Sequence, residues 1–271
     1  RLISRLYATH GAEVRHLPLD TAGVRPDALE ASDADILHIS PAHHFPTGVV
    51  TPITRRQELL AWAAKGVIVL EIGIHGIPVI LDNTLYSDFS KGVLANYVLD
   101  GIENRDSYFF RRVYLGCVRA VDFLLSLPKS NGKVGVMGGS QGGMLSLATS
   151  YLDKRITATG VYFPAFCDQE AYMHGRTGGW PHFFKKKDNC KKEYLETVRY
   201  YDGANFARKL TAPVYYAFGY NDITCGPTTS SATYNVISAP KQVVIGENQG
   251  HWLFPEHFNS MWEWMIKELN K

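Results

Sequence analysis

The chain has 271 residues, of which 45% are hydrophobic, so it is long enough to bury a sizeable core as one large domain or two small ones. Its formal net charge of +2 gives no electrostatic case for nucleic-acid binding, and no stretch approaches the roughly 18 uninterrupted apolar residues of a membrane span. The four cysteines share no C-x-x-C spacing, which favours neither a zinc site nor a disulfide framework.

The first residues of the sequence bear on whether the chain is a fragment. The chain begins at Arg1 without a methionine or a signal peptide, so we expect a fragment or a processed product. Because neither a signal peptide nor a transmembrane segment is found, the cytoplasm is slightly favoured as the location, although the sequence does not determine the compartment.

Strand and helix patterns alternate along the chain. Strand patterns cover 13–19, 35–40, 66–72, 133–137, 157–163, 213–219 and 242–246, and helical patterns cover 1–9, 26–30, 54–65, 107–126 and 255–269, with a loop over 41–52. This alternation predicts an α/β fold with a mostly parallel sheet and helices on both faces. The segment 164–206 breaks the alternation, and we expect an irregular insertion that covers the strand ends, where such folds place their ligand sites.

One serine lies between a predicted strand and a predicted helix. The motif Gly138-x-Ser140-x-Gly142 follows the apolar run 133–137 and precedes a helical segment that starts at Met144, which is the setting of a nucleophile elbow. Small residues are needed there because the turn brings the strand and helix backbones close together. Ser140 is therefore the candidate nucleophile, and the backbone N–H of Gln141 is the candidate oxyanion donor. A plain glycine-rich turn is the alternative.

A nucleophile elbow predicts an acidic residue and then a histidine, each just after a later strand. Asp222 follows the strand 213–219, and His251 follows the strand 242–246. His251 would take the proton from Ser140, and Asp222 would fix the tautomer of the imidazole and stabilise its charged form. Taken singly, each residue has an ordinary loop role as its alternative; their order and their positions after strands favour a triad.

From about Gly66 to the C-terminus, the chain resembles the acetylxylan esterase and cephalosporin C deacetylase family, within the α/β-hydrolase fold. The resemblance rests on five motifs, at 74–78 (Ile-His-Gly-Ile-Pro), 101–108, 118–124, 139–143 (Gly-Ser-Gln-Gly-Gly) and 175–181. It implies removal of acetyl groups from acetylated carbohydrates or related small esters, through an acetyl-enzyme on Ser140 with Asp222 and His251 completing the triad. It implies no metal and no organic cofactor. Because the family often forms closed oligomers, a homo-oligomer is a further expectation.

One aromatic residue of the segment 164–206 is a candidate for substrate contact. Trp180 lies within the motif Gly178-Gly179-Trp180-Pro181, in the segment that we expect to cover the strand ends. It is the candidate sugar-contacting side chain, with plain packing as the equal alternative.

Residues 1–65 resemble a different family, the aminotransferase-type domain of the MocR transcription regulators. The resemblance rests on the segments 11–20, 41–48 and 55–63. That domain holds pyridoxal phosphate through a lysine and an aspartate, and the resemblance stops before the segments that would supply them. We therefore expect an aminotransferase-like fragment over 1–65, packed on the same sheet and without a working cofactor site, followed by an N-terminally truncated esterase domain over 66–271.

This fusion affects the predicted oxyanion site. In the esterase family, a histidine–glycine–tyrosine type loop before the strand 67–72 gives the second oxyanion donor, and residues 35–65 now take its place. The loss of one donor typically raises the barrier by about 2.7–4 kcal/mol, which predicts a weak esterase and not an inactive one. The alternatives are a catalytically impaired α/β scaffold and a pyridoxal-phosphate-dependent aminotransferase-type fragment.

Overall fold

The computed structural model describes residues 67–70, 72–75 and 83–271, together with four two-residue strands nearer the N-terminus. These strands form two antiparallel hairpins, in which β1 (Leu19–Asp20) pairs with β2 (Gly23–Val24) and β3 (His43–His44) pairs with β4 (Val49–Val50). The chain divides into two compact units, one formed by 1–39 and 52–70 and the other by 40–51 and 71–271.

Several predictions for the N-terminal part fall outside the described residues. These are the helices over 1–9, 26–30 and 54–65, the strand over 35–40 and most of the strand over 13–19. The predicted loop over 41–52 contains the β3–β4 hairpin. The strand predicted over 66–72 is wrong for its described part, because residues 67–70 and 72 have no regular secondary structure. Apolar runs of this length do not by themselves specify a strand, since a strand also needs a neighbour to accept its hydrogen bonds.

A four-stranded parallel sheet forms the centre of the second unit. Its strands lie side by side in sequence order: β5 (Val134–Gly139), β6 (Ile156–Tyr162), β7 (Val214–Gly219) and β8 (Lys241–Gly246). The mostly parallel sheet predicted from the sequence is confirmed. Both faces of such a sheet are covered, which is why β6 and β7 consist almost entirely of buried residues. Because the strands are parallel, their carboxyl ends all lie along one edge.

Helices connect and cover these strands. They are α1 (Asn83–Lys91), α2 (Phe109–Ser126), α3 (Gln141–Leu152), α4 (Lys192–Tyr201), α5 (Gly203–Ala207), α6 (Pro227–Asn235) and α7 (Pro255–Leu269). Helix α3 packs against β5 and β6 and also against α2 and α5, so its residues 143–150 are buried on every side. Helix α7 packs against β5, β6 and β7. Within the described part of the chain, no helix combines the length and the apolar character needed to cross a membrane.

The segment 164–206 is more regular than the sequence predicts. It holds the helix α4, most of the helix α5 and the 3-10 turns 169–174, 183–185 and 187–189. The expectation of an irregular insertion is therefore wrong for its C-terminal part. Helix α4 buries Thr197, Val198 and Tyr201 along one face, and the neighbouring glycine, proline and lysine residues obscure that periodicity in the sequence.

The buried side chain of Asp202 connects separate parts of this segment by hydrogen bonds. Its buried carboxylate accepts hydrogen bonds from the backbone N–H groups of Asp168 (3.0 Å), Gln169 (2.8 Å) and Ala204 (2.8 Å). Burial raises the pKa of Asp202 to about 6, against the lowering effect of the three amides. Through these hydrogen bonds, Asp202 joins the loop after β6 to the start of α5, and it is also the N-cap residue of that helix.

Candidate active site

Ser140 occupies a sharp turn between β5 and α3. Its backbone has φ 55° and ψ −120°, a conformation that residues with a side chain rarely adopt. Three hydrogen bonds hold the turn: the Ser140 N–H donates to the Tyr162 carbonyl (3.1 Å), and the Ser140 carbonyl accepts from the N–H groups of Met144 (3.2 Å) and Ala165 (2.9 Å). The strained backbone is thus fixed from both neighbouring segments, as a nucleophile elbow requires.

The two glycines of the motif have different roles in this turn. A Cβ atom on Gly138 would lie 2.5 Å from the backbone carbon of Gly142, a distance that cannot be relieved without moving the strand or the helix. A Cβ atom on Gly142 would have nothing within 4 Å. The close approach of strand and helix therefore requires glycine at position 138 but not at position 142.

Asp222 and His251 lie beside Ser140 at the carboxyl edge of the sheet. The Nε2 atom of His251 is 3.0 Å from Oγ of Ser140, and its Nδ1 atom is 2.8 Å from Oδ2 of Asp222. Asp222 follows the end of β7 and His251 follows the end of β8, and these two strands are neighbours in the sheet. The structure therefore brings together the three residues that the sequence singles out, in a continuous hydrogen-bonded chain.

The surroundings of Asp222 keep this chain in one orientation. The Asp222 side chain is fully buried, and its Oδ1 atom accepts hydrogen bonds from the backbone N–H groups of Thr224 and Cys225, both at 2.8 Å. Oδ2 is left to accept from Nδ1–H of His251. In that tautomer Nε2 has a lone pair directed at the Ser140 hydroxyl, which is the arrangement for general-base removal of its proton.

The ring of Phe163 packs against His251 with 4.5 Å between centroids, and the side chain of His251 is only 26% exposed. Phe163 follows the end of β6 and has a positive φ of 35°. Sequence reasoning missed this residue. Its position after a strand was the available signal, since the segment after each of the four strands then supplies a side chain to the site.

Cys225 is a second residue that sequence reasoning missed. Its buried thiol lies near the Ser140 side chain and the Trp180 backbone. Burial raises the pKa of this thiol, so it is neutral at pH 7 and contributes packing and polarity, not charge. The turn that wraps Asp222 Oδ1 places Cys225 there, and such a turn is not evident from the residue types alone.

Gln141 is the first residue of α3. The N–H groups in the first turn of a helix have no acceptor within that helix, so the Gln141 amide has the position of an oxyanion donor. Its side-chain Nε2 donates a hydrogen bond to the hydroxyl of buried Tyr97. The ring of His75 meets Tyr97 edge to face at 4.7 Å, and burial together with the charge of Arg112 lowers the pKa of His75 to about 4. The segment 35–65, which takes the place of the loop that gives the second oxyanion donor in the esterase family, lies outside the described residues except for β3 and β4.

The backbone of Trp180 contacts residues of the loop that follows β6. The Trp180 carbonyl accepts hydrogen bonds from the Phe166 N–H (2.8 Å) and from Nε2 of Gln169 (2.9 Å). Its half-buried ring packs edge to face against Phe166 at 5.4 Å. These contacts favour a packing role, and contact with a sugar remains a prediction.

The parallel sheet, the elbow and the serine–histidine–aspartate chain together define an α/β-hydrolase fold with a serine-hydrolase type of site. A family model described as acetyl xylan esterase (AXE1) matches residues 45–268. The chain belongs to this acetyl xylan esterase family. The match begins inside the segment 1–65 that was assigned to an aminotransferase-like fragment, so the position of that boundary stays a prediction.

Individual relatives agree with the family. The chain is 43% identical to the acetyl esterase Axe7A of Xylanibacter ruminicola over 215 residues. The aligned region covers 77% of this chain and 48% of that protein. The chain therefore spans about half the length of this curated relative. An acetyl xylan esterase from Paenibacillus sp. R4 has a similar structure, with 32% identity, a TM-score of 0.58 and coverage of 64% of this chain and 57% of that chain.

Two further comparisons are more limited. The acetyl xylan esterase 1 of Thermoanaerobacterium sp. JW/SL YS485 is 24% identical with a TM-score of 0.58, covering 65% of this chain and 58% of that one, and it shows the shared fold alone. An uncharacterised HTH-type transcriptional regulator of Bacillus subtilis is 41% identical over 61 residues, which is 22% of this chain and 13% of that protein.

Proposed function

We propose that this protein is a serine carboxylic ester hydrolase that removes acetyl groups from acetylated carbohydrates or related small esters. The observation that carries the proposal is the hydrogen-bonded chain from Ser140 through His251 to the fully buried Asp222. Membership of the acetyl xylan esterase family, and the names of the relatives from Xylanibacter and Paenibacillus, support the substrate class.

In the acylation step, His251 Nε2 removes the proton of the Ser140 hydroxyl as Oγ attacks the acetyl carbonyl carbon. The backbone N–H of Gln141 stabilises the negative charge that develops on the carbonyl oxygen. His251 then gives its proton to the oxygen of the leaving alcohol, the C–O bond breaks, and an acetyl-enzyme on Ser140 remains. Asp222 stabilises the imidazolium formed in between.

In the deacylation step, His251 activates a water molecule that attacks the acetyl-enzyme. Acetic acid leaves and Ser140 regains its proton from His251, which restores the starting state. The same three side chains serve both steps, so the loss of any one of them affects the formation and the hydrolysis of the acetyl-enzyme.

An acetyl-ester assay with purified wild-type protein and the Ser140→Ala variant tests this proposal. We expect hydrolysis by the wild type and background hydrolysis by the variant, together with fluorophosphonate labelling that is lost in the variant. Equal, background-level turnover by both proteins, combined with no labelling of Ser140, would mean that the chain is a non-catalytic α/β scaffold.

We infer separately that residues 1–65 derive from an aminotransferase-type domain of a transcription regulator. The 61-residue similarity to the Bacillus subtilis regulator supports this inference. Because the resemblance lacks the lysine and the aspartate that would hold pyridoxal phosphate, we expect no absorbance band from bound cofactor after incubation with it. A saturable band would contradict that expectation.

A further inference from the structure

Two loops that carry catalytic candidates also carry large apolar side chains in contact with solvent. Tyr220 and Ile223 flank Asp222 and are 53% and 92% exposed, and Trp252 follows His251 and is 47% exposed. We call Tyr220, Ile223 and Trp252 the apolar rim. Exposed apolar side chains that cluster beside a site commonly mark a surface that binds something.

Backbone hydrogen bonds join the two loops of the apolar rim. The Tyr220 N–H donates to the Gly246 carbonyl (3.1 Å), and the Asn221 N–H donates to the Gln249 carbonyl (2.9 Å). A Cβ atom on Gly250 would lie 3.5 Å from Nε1 of Trp252 and 3.6 Å from the Asn221 carbonyl oxygen. The indole of Trp252 therefore lies beside the backbone of the loop that carries Tyr220 and Ile223.

The indole is held in place although almost half of it is exposed. The ring of Phe254 packs perpendicular to Trp252, with 4.7 Å between their centroids. An aromatic ring fixed in this way binds a flat apolar partner with little loss of side-chain entropy. Asn221, Glu247 and Asn248 are exposed in the same two loops, so hydrogen-bonding groups surround the apolar surface.

The reaction chemistry decides which partner this surface fits. His251 protonates the leaving alcohol, so the oxygen of that alcohol must come within hydrogen-bond reach of Nε2. The ring that carries the oxygen then lies next to the loop of His251, where Trp252 is. A pyranose has an apolar C–H face and a polar edge of hydroxyl groups, which matches an indole surrounded by amide and carboxylate groups.

We propose that the apolar rim, centred on Trp252, is a sugar-binding platform for the carbohydrate part of the ester, on the side of the leaving group. This inference rests on the proposed esterase function. It assigns the sugar contact to Trp252 in place of Trp180, whose ring packs against Phe166.

The kinetic experiment compares two esters that share the acetyl group. Acetylated xylotriose reaches the platform, whereas the leaving group of ethyl acetate is too small to do so. We expect Trp252→Ala to lower the ratio of their kcat/KM values by about tenfold, and Trp252→Phe to restore most of that loss. Tyr200→Ala is the matched control, because Tyr200 is a 57% exposed aromatic residue on α4, outside the two loops. An unchanged ratio in Trp252→Ala would overturn the proposal.

A binding experiment separates this inference from the esterase function. Electrophoresis through a gel that contains soluble xylan needs no turnover, and we expect the xylan to retard the wild type more than Trp252→Ala. Equal retardation of both proteins, or none of the wild type, would overturn the platform even if the enzyme hydrolyses ethyl acetate. A protein that is retarded by xylan but hydrolyses neither ester would keep the platform and contradict the esterase. If Trp252→Ala changes only the oligomeric state, the rim is a subunit contact and the proposal is wrong.

Discussion

Asp222 shows how a single buried carboxylate is made specific for one task. Two backbone amides saturate Oδ1, and His251 takes Oδ2, so neither oxygen is left without a donor in an environment closed to solvent. The loop geometry therefore favours one rotamer of Asp222 and one tautomer of His251. Any change that preserves the shape but reverses a donor and an acceptor is expected to affect chemistry more than folding.

Asp222→Asn tests this expectation. The amide keeps the shape of the side chain, but its NH₂ group presents a donor where an acceptor is needed and favours the wrong tautomer of His251. We expect kcat on an acetyl ester to fall by roughly 10³–10⁴, with a parallel fall in the rate of fluorophosphonate labelling. Asp188→Asn, at an exposed position in the segment 164–206, is the control. Activity within tenfold of the wild type would show that Asp222 does not orient His251.

At the scale of secondary-structure elements, the junction of β5 and α3 depends on how close the two backbones come. Gly138 faces the backbone of Gly142 across the turn, so the strand can end beside the first turn of the helix only without a side chain at position 138. Ser140 takes up the remaining strain with its positive φ. The same closeness positions the amide of Gln141.

The pair Gly138→Ala and Gly142→Ala measures this closeness. We expect Gly138→Ala to lower the free energy of unfolding by about 3 kcal/mol or more, or to prevent folding, because its methyl group meets backbone. Gly142→Ala has open space and a better helix former, so its free energy of unfolding should stay within about 1 kcal/mol of the wild type. Urea unfolding gives both values. Similar results for the two variants would refute the steric explanation.

The segment 164–206 depends on the carboxylate of Asp202. Since burial raises its pKa to about 6, the folded protein binds a proton more tightly than the unfolded chain does. The stability that this tighter proton binding provides is present below about pH 4 and is lost as the pH rises through about 6. Asp202 therefore makes the fold less stable, relative to a non-titrating residue, as neutral pH is approached.

Asp202→Asn removes this titration. The amide also changes the free energy of unfolding by a constant amount, because its NH₂ group faces a backbone donor. That change does not vary with pH. We expect the free energy of unfolding of the wild type to fall by about 2–3 kcal/mol relative to the variant between pH 4 and pH 7. Urea unfolding at several pH values provides the measurement. Parallel pH profiles for the two proteins would rule out the raised pKa.

At the scale of the whole molecule, the free energy of unfolding in acid depends on two titrating residues, His75 and Asp202, that have opposite effects. His75 has a pKa lowered to about 4 by burial and by Arg112, so the unfolded chain takes up a proton on this residue before the folded protein does. Its contribution to stability is present above about pH 6.5 and is lost as the pH falls towards 4. Asp202 acts in the opposite direction over much of the same range.

His75→Gln separates the two effects. Between pH 7 and pH 4, the free energy of unfolding falls in both proteins. We expect the fall to be about 2 kcal/mol smaller in the variant than in the wild type, because the variant has no imidazole to take up a proton. His174→Gln, at an exposed position, is the control. An acid response in His75→Gln that equals that of the wild type would contradict a lowered pKa for the half-buried imidazole.

Local sequence determined a large part of this protein. The strands β5 to β8 and helix α7 were predictable with small differences at their ends, because apolar runs and helical periodicity express burial along a single segment. The elbow at Ser140, and the order in which Asp222 and His251 follow it, were predictable because parallel strands bring their carboxyl ends to one edge.

Only the tertiary structure decided the remaining features. The strand predicted over 66–72 is absent from its described residues, and the segment 164–206 forms helices, because pairing and packing partners override a local pattern. Phe163 contacts His251, and Cys225 lies near Ser140, only because separate loops converge at the sheet edge. Residue types and spacing fix which chemistry is available, whereas distances between segments depend on packing across the whole fold.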